Sequence, residues 1–418
     1  MNSGDEVRER VIIAGLHTGK SDYLSDTTDE SMAELSELVD TAGGTVVGEM
    51  VQNRPYPESG TYFGEGKLNE LKDAITSLDA TLVVFDDELS PVQLRNINDI
   101  LGVRVLDRSM LILDIFAMRA KSGEGKLQVE LAQLKYQLPR LRGMGIELSR
   151  TGGGIGTRGP GETKLESDRR HIRTRIAALE EEIREIKKHR DLLRTRRHKD
   201  CVITAAIVGY TIAGKSTLLN RLTDAKVFAE DKLFATLDTT SRAIVLEDNR
   251  HVILIDTVGF IRKLPHHLVE AFKSTLEEAS EADFLIHVID AATPEAENRI
   301  EVVNKVLEEI GAGAKPTINV YNKCDLTTDF IPTQKGIYIS AKTGQGINEL
   351  LEAVSDIAPG KKREHTLLIP YTDGGVLNSL HSNEKVLSEE YTEKGVKVTV
   401  LIDDTAYGRL KNYEITED

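Results

Sequence analysis

Residues 209–216 read Gly209-Tyr210-Thr211-Ile212-Ala213-Gly214-Lys215-Ser216, the spacing G-x-x-x-x-G-K-[ST], and Thr217 follows. This run suits a polyphosphate. Backbone N–H groups at the start of a helix bind phosphate oxygens, and small residues let the backbone come close. The amine of Lys215 is then placed for the outer phosphates and the Ser216 hydroxyl for Mg²⁺. Downstream, Asp256-Thr257-Val258-Gly259 ends an apolar run; Asp256 can hold Mg²⁺ through water, and the Gly259 N–H can touch a γ-phosphate. Asn322-Lys323-Cys324-Asp325 ends another. The Asp325 carboxylate can accept from both N1–H and N2–H₂ of guanine, whereas adenine offers neither donor there and would leave it unpaired. Lys323 can lay its stem over the base, and Asn322 can tie this loop to the phosphate loop. Ser340-Ala341-Lys342 is placed to offer a backbone donor to guanine O6. Phe234-Ala235-Thr236-Leu237-Asp238 falls where a first switch belongs, with Thr236 as the second Mg²⁺-ligating hydroxyl and Thr239 and Thr240 as rivals. The chemistry these residues predict is Mg²⁺-dependent attack of water on GTP. Lys215 and backbone donors would stabilise charge, Ser216 and Thr236 would hold the metal, and Gly259 would sense the γ-phosphate.

Positioning these groups requires an α/β sheet. Residues 202–208 form an apolar strand before the phosphate loop, and Leu218-Leu219 lie on a helix after it. A P-loop domain with a mainly parallel sheet is expected over 201–360. Residues 1–106 alternate short strands (11–16, 45–51, 81–85, 103–106) with amphipathic helices (31–41, 68–78, 91–101), predicting a small N-terminal α/β domain. The glycines of 56–67 precede a helix but lack a Lys-Ser/Thr pair, so a plain turn is the favoured reading. Residues 107–200 become helical and charged. Leu127, Leu131, Leu134, Leu138 and Leu141 make one 4-3 seam; Leu165, Ile172, Ile176, Leu179, Ile183, Ile186 and Leu193 make another. Two such stripes predict an antiparallel helical hairpin. Its connection, 142–163, is rich in glycine and bordered by arginines, which suits close approach to a phosphate backbone. Arg142, Arg150, Arg158, Arg169 and Arg170 are the RNA-contact candidates. Residues 361–418 read as a small C-terminal α/β domain with strands at 366–369, 396–401 and 413–415 and a helix at 376–381.

Composition narrows the partners. At 418 residues the chain needs two to four domains. It has no apolar run of 18 residues, and the polar start MNSGDEVRER is not a secretory signal, so a cytoplasmic protein without stable membrane insertion is expected. With only Cys201 and Cys324, neither a disulfide nor a zinc site is expected. The net charge of −15 conceals a basic segment: 119–199 carries 21 Lys/Arg against 11 Asp/Glu. A cationic segment on an acidic body suits a local polyanion such as RNA.

Longer stretches carry a family resemblance: GTYFGEGKLNEL at 60–71, DDELSPVQLRNI at 86–97, LQVELAQLKYQLPRL at 127–141, GGGIGTRGPGETKLESDRR at 152–170, FATLD at 234–238 and DTVGFIRKLPHHLVEAFKSTLEEA at 256–279. Along nearly its whole length the chain resembles the HflX family of ribosome-associated GTPases. The resemblance implies binding to the large ribosomal subunit and its RNA, GTP-dependent splitting of stalled or idle ribosomes, an ATP-linked activity of the N-terminal domain, and a monomer off the ribosome. Two positions stand out. Phe260 follows Gly259 where many GTPases place a water-orienting Gln, and the resembled family likewise has a hydrophobic residue there, predicting slow intrinsic hydrolysis. Ile212 replaces the family's usual Asn, which in related K⁺-stimulated GTPases can ligate a monovalent cation, so weak K⁺ stimulation is expected.

Overall fold

The computed structural model describes residues 8–19, 28–141, 160–199, 202–223, 233–234, 240–263, 273–326, 335–360 and 362–414. The N-terminal sheet contains β1 (Arg10–His17), β2 (Thr45–Asn53), β3 (Leu82–Phe85) and β4 (Arg104–Asp107) in the order β2-β1-β3-β4, all parallel. Six consecutive buried residues in β1 show why: a parallel strand covered on both faces needs an unbroken apolar run. One face packs Ile12, Phe85 and Val83 with Leu68 and Leu71 of α2 (Glu65–Ser77) and Ile97 of α3 (Pro91–Leu101). The other packs Val11, Ile13 and Val84 with Met32, Leu35 and Leu38 of α1 (Thr28–Thr41) and with α4 (Arg108–Arg119). The start of α3 is fixed locally, because Ser90 and Gln93 form a reciprocal capping box and Pro91 opens the helix.

Helices α5 (Gly123–Arg140) and α6 (Pro160–Lys199) form the antiparallel hairpin. Ion pairs fix its direction: Glu124 with Arg190 (2.6 Å), Glu130 with Arg175 (2.7 Å) and Lys135 with Glu180 (2.8 Å). The leucine seam accounts for only part of what α5 buries. Leu131 is covered and Leu127, Leu134 and Leu138 are half-buried, whereas Val129, Ala132 and Tyr136 join the core of the N-terminal domain. The Tyr136 hydroxyl donates to Asp107 at 2.6 Å.

The next sheet contains β5 (Ile203–Gly209), β6 (Thr240–Val245), β7 (His251–Asp256), β8 (Phe284–Asp290), β9 (Thr317–Asn322) and β10 (Ile337–Tyr338). Its order is β10-β9-β8-β5-β7-β6, parallel except for β6 against β7. Helices α7 (Lys215–Thr223), α8 (Lys273–Glu281), α9 (Ala296–Glu309) and α10 (Ile347–Ile357) accompany it. One apolar cluster joins Leu35, Leu111 and Phe116 to Phe234, Phe260 and Ile261, so the two sheets share a core. Phe116 meets Phe234 edge-on at 4.7 Å.

The last unit is an antiparallel sheet of β11 (Arg363–Ile369), β12 (Lys385–Thr392) and β13 (Gly395–Ile402), ordered β11-β13-β12, with α11 (Gly374–Asn383) and α12 (Asp404–Leu410). Here the structure departs from the sequence reading. β12 is an edge strand whose polar sequence KVLSEEYT carries no alternation strong enough to announce it. Residues 411–413 form a 3₁₀ turn rather than a strand, and only Glu414 bridges to Leu367. Among the described residues no helix is long and apolar enough to cross a membrane.

Candidate nucleotide-binding site

Strand β5 ends at Gly209 and α7 begins at Lys215, so the loop between them lies at the carboxyl end of the parallel sheet. Gly214 has φ +94°, and a Cβ there would lie 2.3 Å from Asn322 Nδ2, so only glycine fits. Asn322 draws three predicted motifs together. Its Nδ2 donates to the Ala213 carbonyl (2.9 Å), and its Oδ1 accepts from the Ala341 N–H (2.9 Å). Lys323, at φ +68°, pairs with Asp290 at 2.7 Å. The Cys324 thiol donates to the Tyr321 carbonyl at 3.3 Å, and burial pushes its pKa up. Asp325 and Lys342 are exposed, and Ser340 is buried.

The Lys215 amine donates to the carbonyls of Gly209 (3.1 Å) and Tyr210 (2.9 Å), inside the loop that would cradle phosphates. Burial lowers its pKa to about 8, with the Asp256 charge opposing the shift. Ser216 Oγ donates to Asp256 Oδ2 at 2.7 Å, which places a hydroxyl ligand beside a carboxylate able to act through water. That oxygen-only pair fits a hard cation such as Mg²⁺. Thr257 is pinned through its hydroxyl to the Ile207 carbonyl (2.7 Å), and Val258 is buried. Gly259 lies so close to the loop that a Cβ would stand 2.7 Å from Thr211 Cγ2 and 3.0 Å from Lys215 Nζ. Thr217 is half-buried on α7. Ala235, Thr236, Leu237, Asp238 and Thr239 lie outside the described residues; Phe234 is buried, and Thr240 opens β6 opposite Asp256. Of the arginine candidates, Arg142, Arg150 and Arg158 lie outside the described residues, while Arg170 is exposed and Arg169 half-buried on α6.

The two unusual positions gain a structural meaning. Phe260 is 1% exposed and its ring joins the shared core, while its N–H donates to Gly209 (3.1 Å) and its carbonyl accepts from Thr211 (2.8 Å). The side chain anchors the segment instead of facing a phosphate. Ile212 has φ +62°, a left-handed conformation that a β-branched residue tolerates poorly and Asn adopts readily.

Sequence reasoning missed the groups contributed by the N-terminal domain. The Tyr210 hydroxyl donates to Glu34 of α1 and accepts from the Arg262 N–H at 2.8 Å. Glu34 also pairs with the buried Arg108, whose Nη1 donates to Asp86 at 2.7 Å. Burial works against ionising Asp86, but Arg108 and Lys263 outweigh it and hold its pKa below the usual range. No local pattern announces a hydroxyl–carboxylate contact across 176 residues.

A strand, a phosphate loop at a helix start, an Asp-x-x-Gly loop and an Asn-Lys-x-Asp loop gathered at one sheet end define a P-loop GTPase. Family models agree in sequence order: "GTP-binding GTPase N-terminal" over 29–117, "GTP-binding GTPase Middle Region" over 119–197 and "50S ribosome-binding GTPase" over 204–323. The chain is 52% identical over 411 residues to GTPase HflX of Caldanaerobacter subterraneus subsp. tengcongensis, covering 98% of this chain and 94% of that one. It is 44% identical over 381 residues to GTPase HflX of Escherichia coli strain K12, covering 89% of each. It is also similar to a solved structure described as an SsGBP and GDP complex, at 26% identity and a TM-score of 0.48, covering 84% of this chain and 98% of that one. The chain belongs to the HflX family, and it is a GTP hydrolase.

Proposed function

We propose that this GTPase works in the cytoplasm on the large ribosomal subunit, as a monomer off the ribosome, and separates stalled or idle ribosomes while GTP is bound. The observation that carries this reading is mechanical. Lys187 and Arg190 of α6 pair with Glu277 (2.7 Å) and Glu278 (3.7 Å) of α8, the helix that follows the second switch, the segment begun by Asp256-Thr257-Val258-Gly259. A change at Gly259 can therefore reach the hairpin, whose helix α6 also carries Arg169 and Arg170. The family model matched over 204–323 is described as a 50S ribosome-binding GTPase, which supports a large-subunit surface as the partner of this chain.

In the reaction, the backbone N–H groups of 212–216 and the Lys215 amine bind and neutralise the β- and γ-phosphates, trading the internal carbonyl partners of Lys215 for phosphate oxygens. Ser216 and Thr236 would hold Mg²⁺, with Asp256 acting through water; the ion supplies charge neutralisation between the phosphates. Asp325 reads guanine, Lys323 covers it and the backbone of 340–342 meets O6. Phe260 cannot orient the attacking water, and Ile212 offers no side-chain oxygen to K⁺, so free turnover is slow and only weakly stimulated by K⁺. Sedimentation with purified large subunits, in GDP or a non-hydrolysable GTP analogue, tests the reading. Co-sedimentation with the analogue and loss of intact ribosomes support it; equal behaviour of the two nucleotides removes it.

A further inference from the structure

The N-terminal sheet ends in a crevice that the site above does not use. Chain direction across the sheet reverses between β1 and β3, since β1 leads through α1 to β2 on one side and β3 leads through α3 to β4 on the other. In open α/β sheets such a reversal, at the carboxyl ends of the strands, is where ligands bind. Asp86 and Asp87 lie there directly after β3, and the Asp86 N–H bonds to Ala14 of β1 at 2.8 Å.

What fills this place is an ammonium from the other domain. Lys263 Nζ donates to Asp86 and, at 2.9 Å, to Asp87. Ser31 also donates to Asp86 at 2.6 Å, and the Tyr62 hydroxyl donates to Asp87. The preceding residue, Arg262, is gripped on both sides, its N–H donating to Tyr210 and its carbonyl accepting from Arg108 at 3.3 Å. The Arg262 side chain pairs with Glu30 of α1. Lys263 is held at φ +51°, a conformation that a non-glycine residue adopts only when its surroundings demand it.

These contacts fall three and four residues after Gly259, whose N–H is the γ-phosphate sensor. GTP asks Gly259 to meet a phosphate oxygen between itself and Lys215; GDP asks nothing of it. A ligand moves an equilibrium only by its differential affinity for the two states. Work done against the grip on 262–263 is therefore drawn from GTP binding alone.

We propose that Lys263 is the ligand of the N-terminal crevice, and that Asp86 and Asp87, by holding it, set the preference of the nucleotide site for GDP over GTP. This rests on the GTPase assignment. The crevice acts as a seat for the second switch, and the N-terminal domain determines specificity between nucleotide states without touching the nucleotide.

The test uses the full chain with Mg²⁺ and measures dissociation constants for GDP and a non-hydrolysable GTP analogue. Lys263→Ala tightens the analogue about tenfold, within the range of such couplings, and leaves GDP unchanged. Asp87→Asn shifts the ratio in the same direction by less, and the double variant goes no further than Lys263→Ala. Lys263→Arg, which keeps the cation, stays within about twofold of the parent. The lysine side chain is 32% exposed, and Asp86 keeps Arg108 and Ser31 without it, so Lys263→Ala folds; thermal unfolding checks this. Equal shifts for both nucleotides, or a weakened analogue, overturn the seat. A parent chain that binds neither nucleotide overturns the nucleotide site itself.

Discussion

The two parallel sheets of this chain make the same geometric offer and use it differently. Each places loops at the carboxyl ends of its strands, where α/β proteins bind ligands. In the P-loop domain the loop after β5 is Gly209 to Ser216, with glycine where Asn322 approaches and a helix start at Lys215. In the N-terminal domain the residues after β3 are Asp86 and Asp87, acidic groups that repel a phosphate and accept Lys263. Topology supplies the place, and the side chains at the strand ends decide whether it takes an anion or a cation.

That contrast can be broken hardest at Lys215. Lys215→Ala removes the buried amine from the phosphate loop, and kcat/KM for GTP should fall by about 10²–10³, typical of losing one preorganised charge donor. Steady-state phosphate release measures this, and a smaller loss than tenfold would deny the loop its role. The pH dependence of binding sharpens the same point. Because burial lowers the Lys215 pKa to about 8, the nucleotide-free amine loses its proton above that pH. GTP affinity should then weaken about tenfold per pH unit above 8, as calorimetry would show.

A second test concerns the wall behind the phosphate loop. His287 on β8 is buried, and burial, aided by the Lys215 charge, lowers its pKa to about 4. The unfolded chain takes up this proton near pH 6.5 and the folded chain only near 4. Stability is thus lost as pH falls from 6.5 towards 4, by about 3 kcal/mol in all. Urea midpoints of the parent and His287→Leu should diverge across this window and run parallel above it.

Phe260 tests whether the second switch is anchored or merely lacks a Gln. Phe260→Gln buries an amide in the shared core and should destabilise the chain by about 1–3 kcal/mol without raising turnover. A faster enzyme would show that the side chain at 260 can face the γ-phosphate after all. The smallest effect is expected at Ile212, where Ile212→Asn relieves a left-handed β-branched residue and should stabilise by about 1 kcal/mol. If the same variant also fails to raise turnover in K⁺ over Na⁺, the explanation given for weak K⁺ stimulation falls.

Much of this molecule was legible in one dimension because much of it is local. The phosphate loop reads from residue types because backbone N–H groups and a glycine at φ +94° do the work within a few neighbours. Strands such as β1 and β5 read as apolar runs because both faces are covered, and α3 reads from its amphipathic spacing. The polar edge strand β12 did not, since one exposed edge imposes little pattern. Residues paired across the fold stayed hidden for a different reason. Nothing near Tyr210 says that its hydroxyl meets Glu34, and nothing near Lys263 says that it seats on Asp86, 177 residues earlier. The sequence by itself determined the guanine-nucleotide chemistry and the amphipathic elements, both set by short-range spacing. Only the tertiary structure decided that Phe260 points into a shared core and that Arg262 and Lys263 meet acidic groups of the N-terminal domain, because those partners are chosen by packing between distant segments.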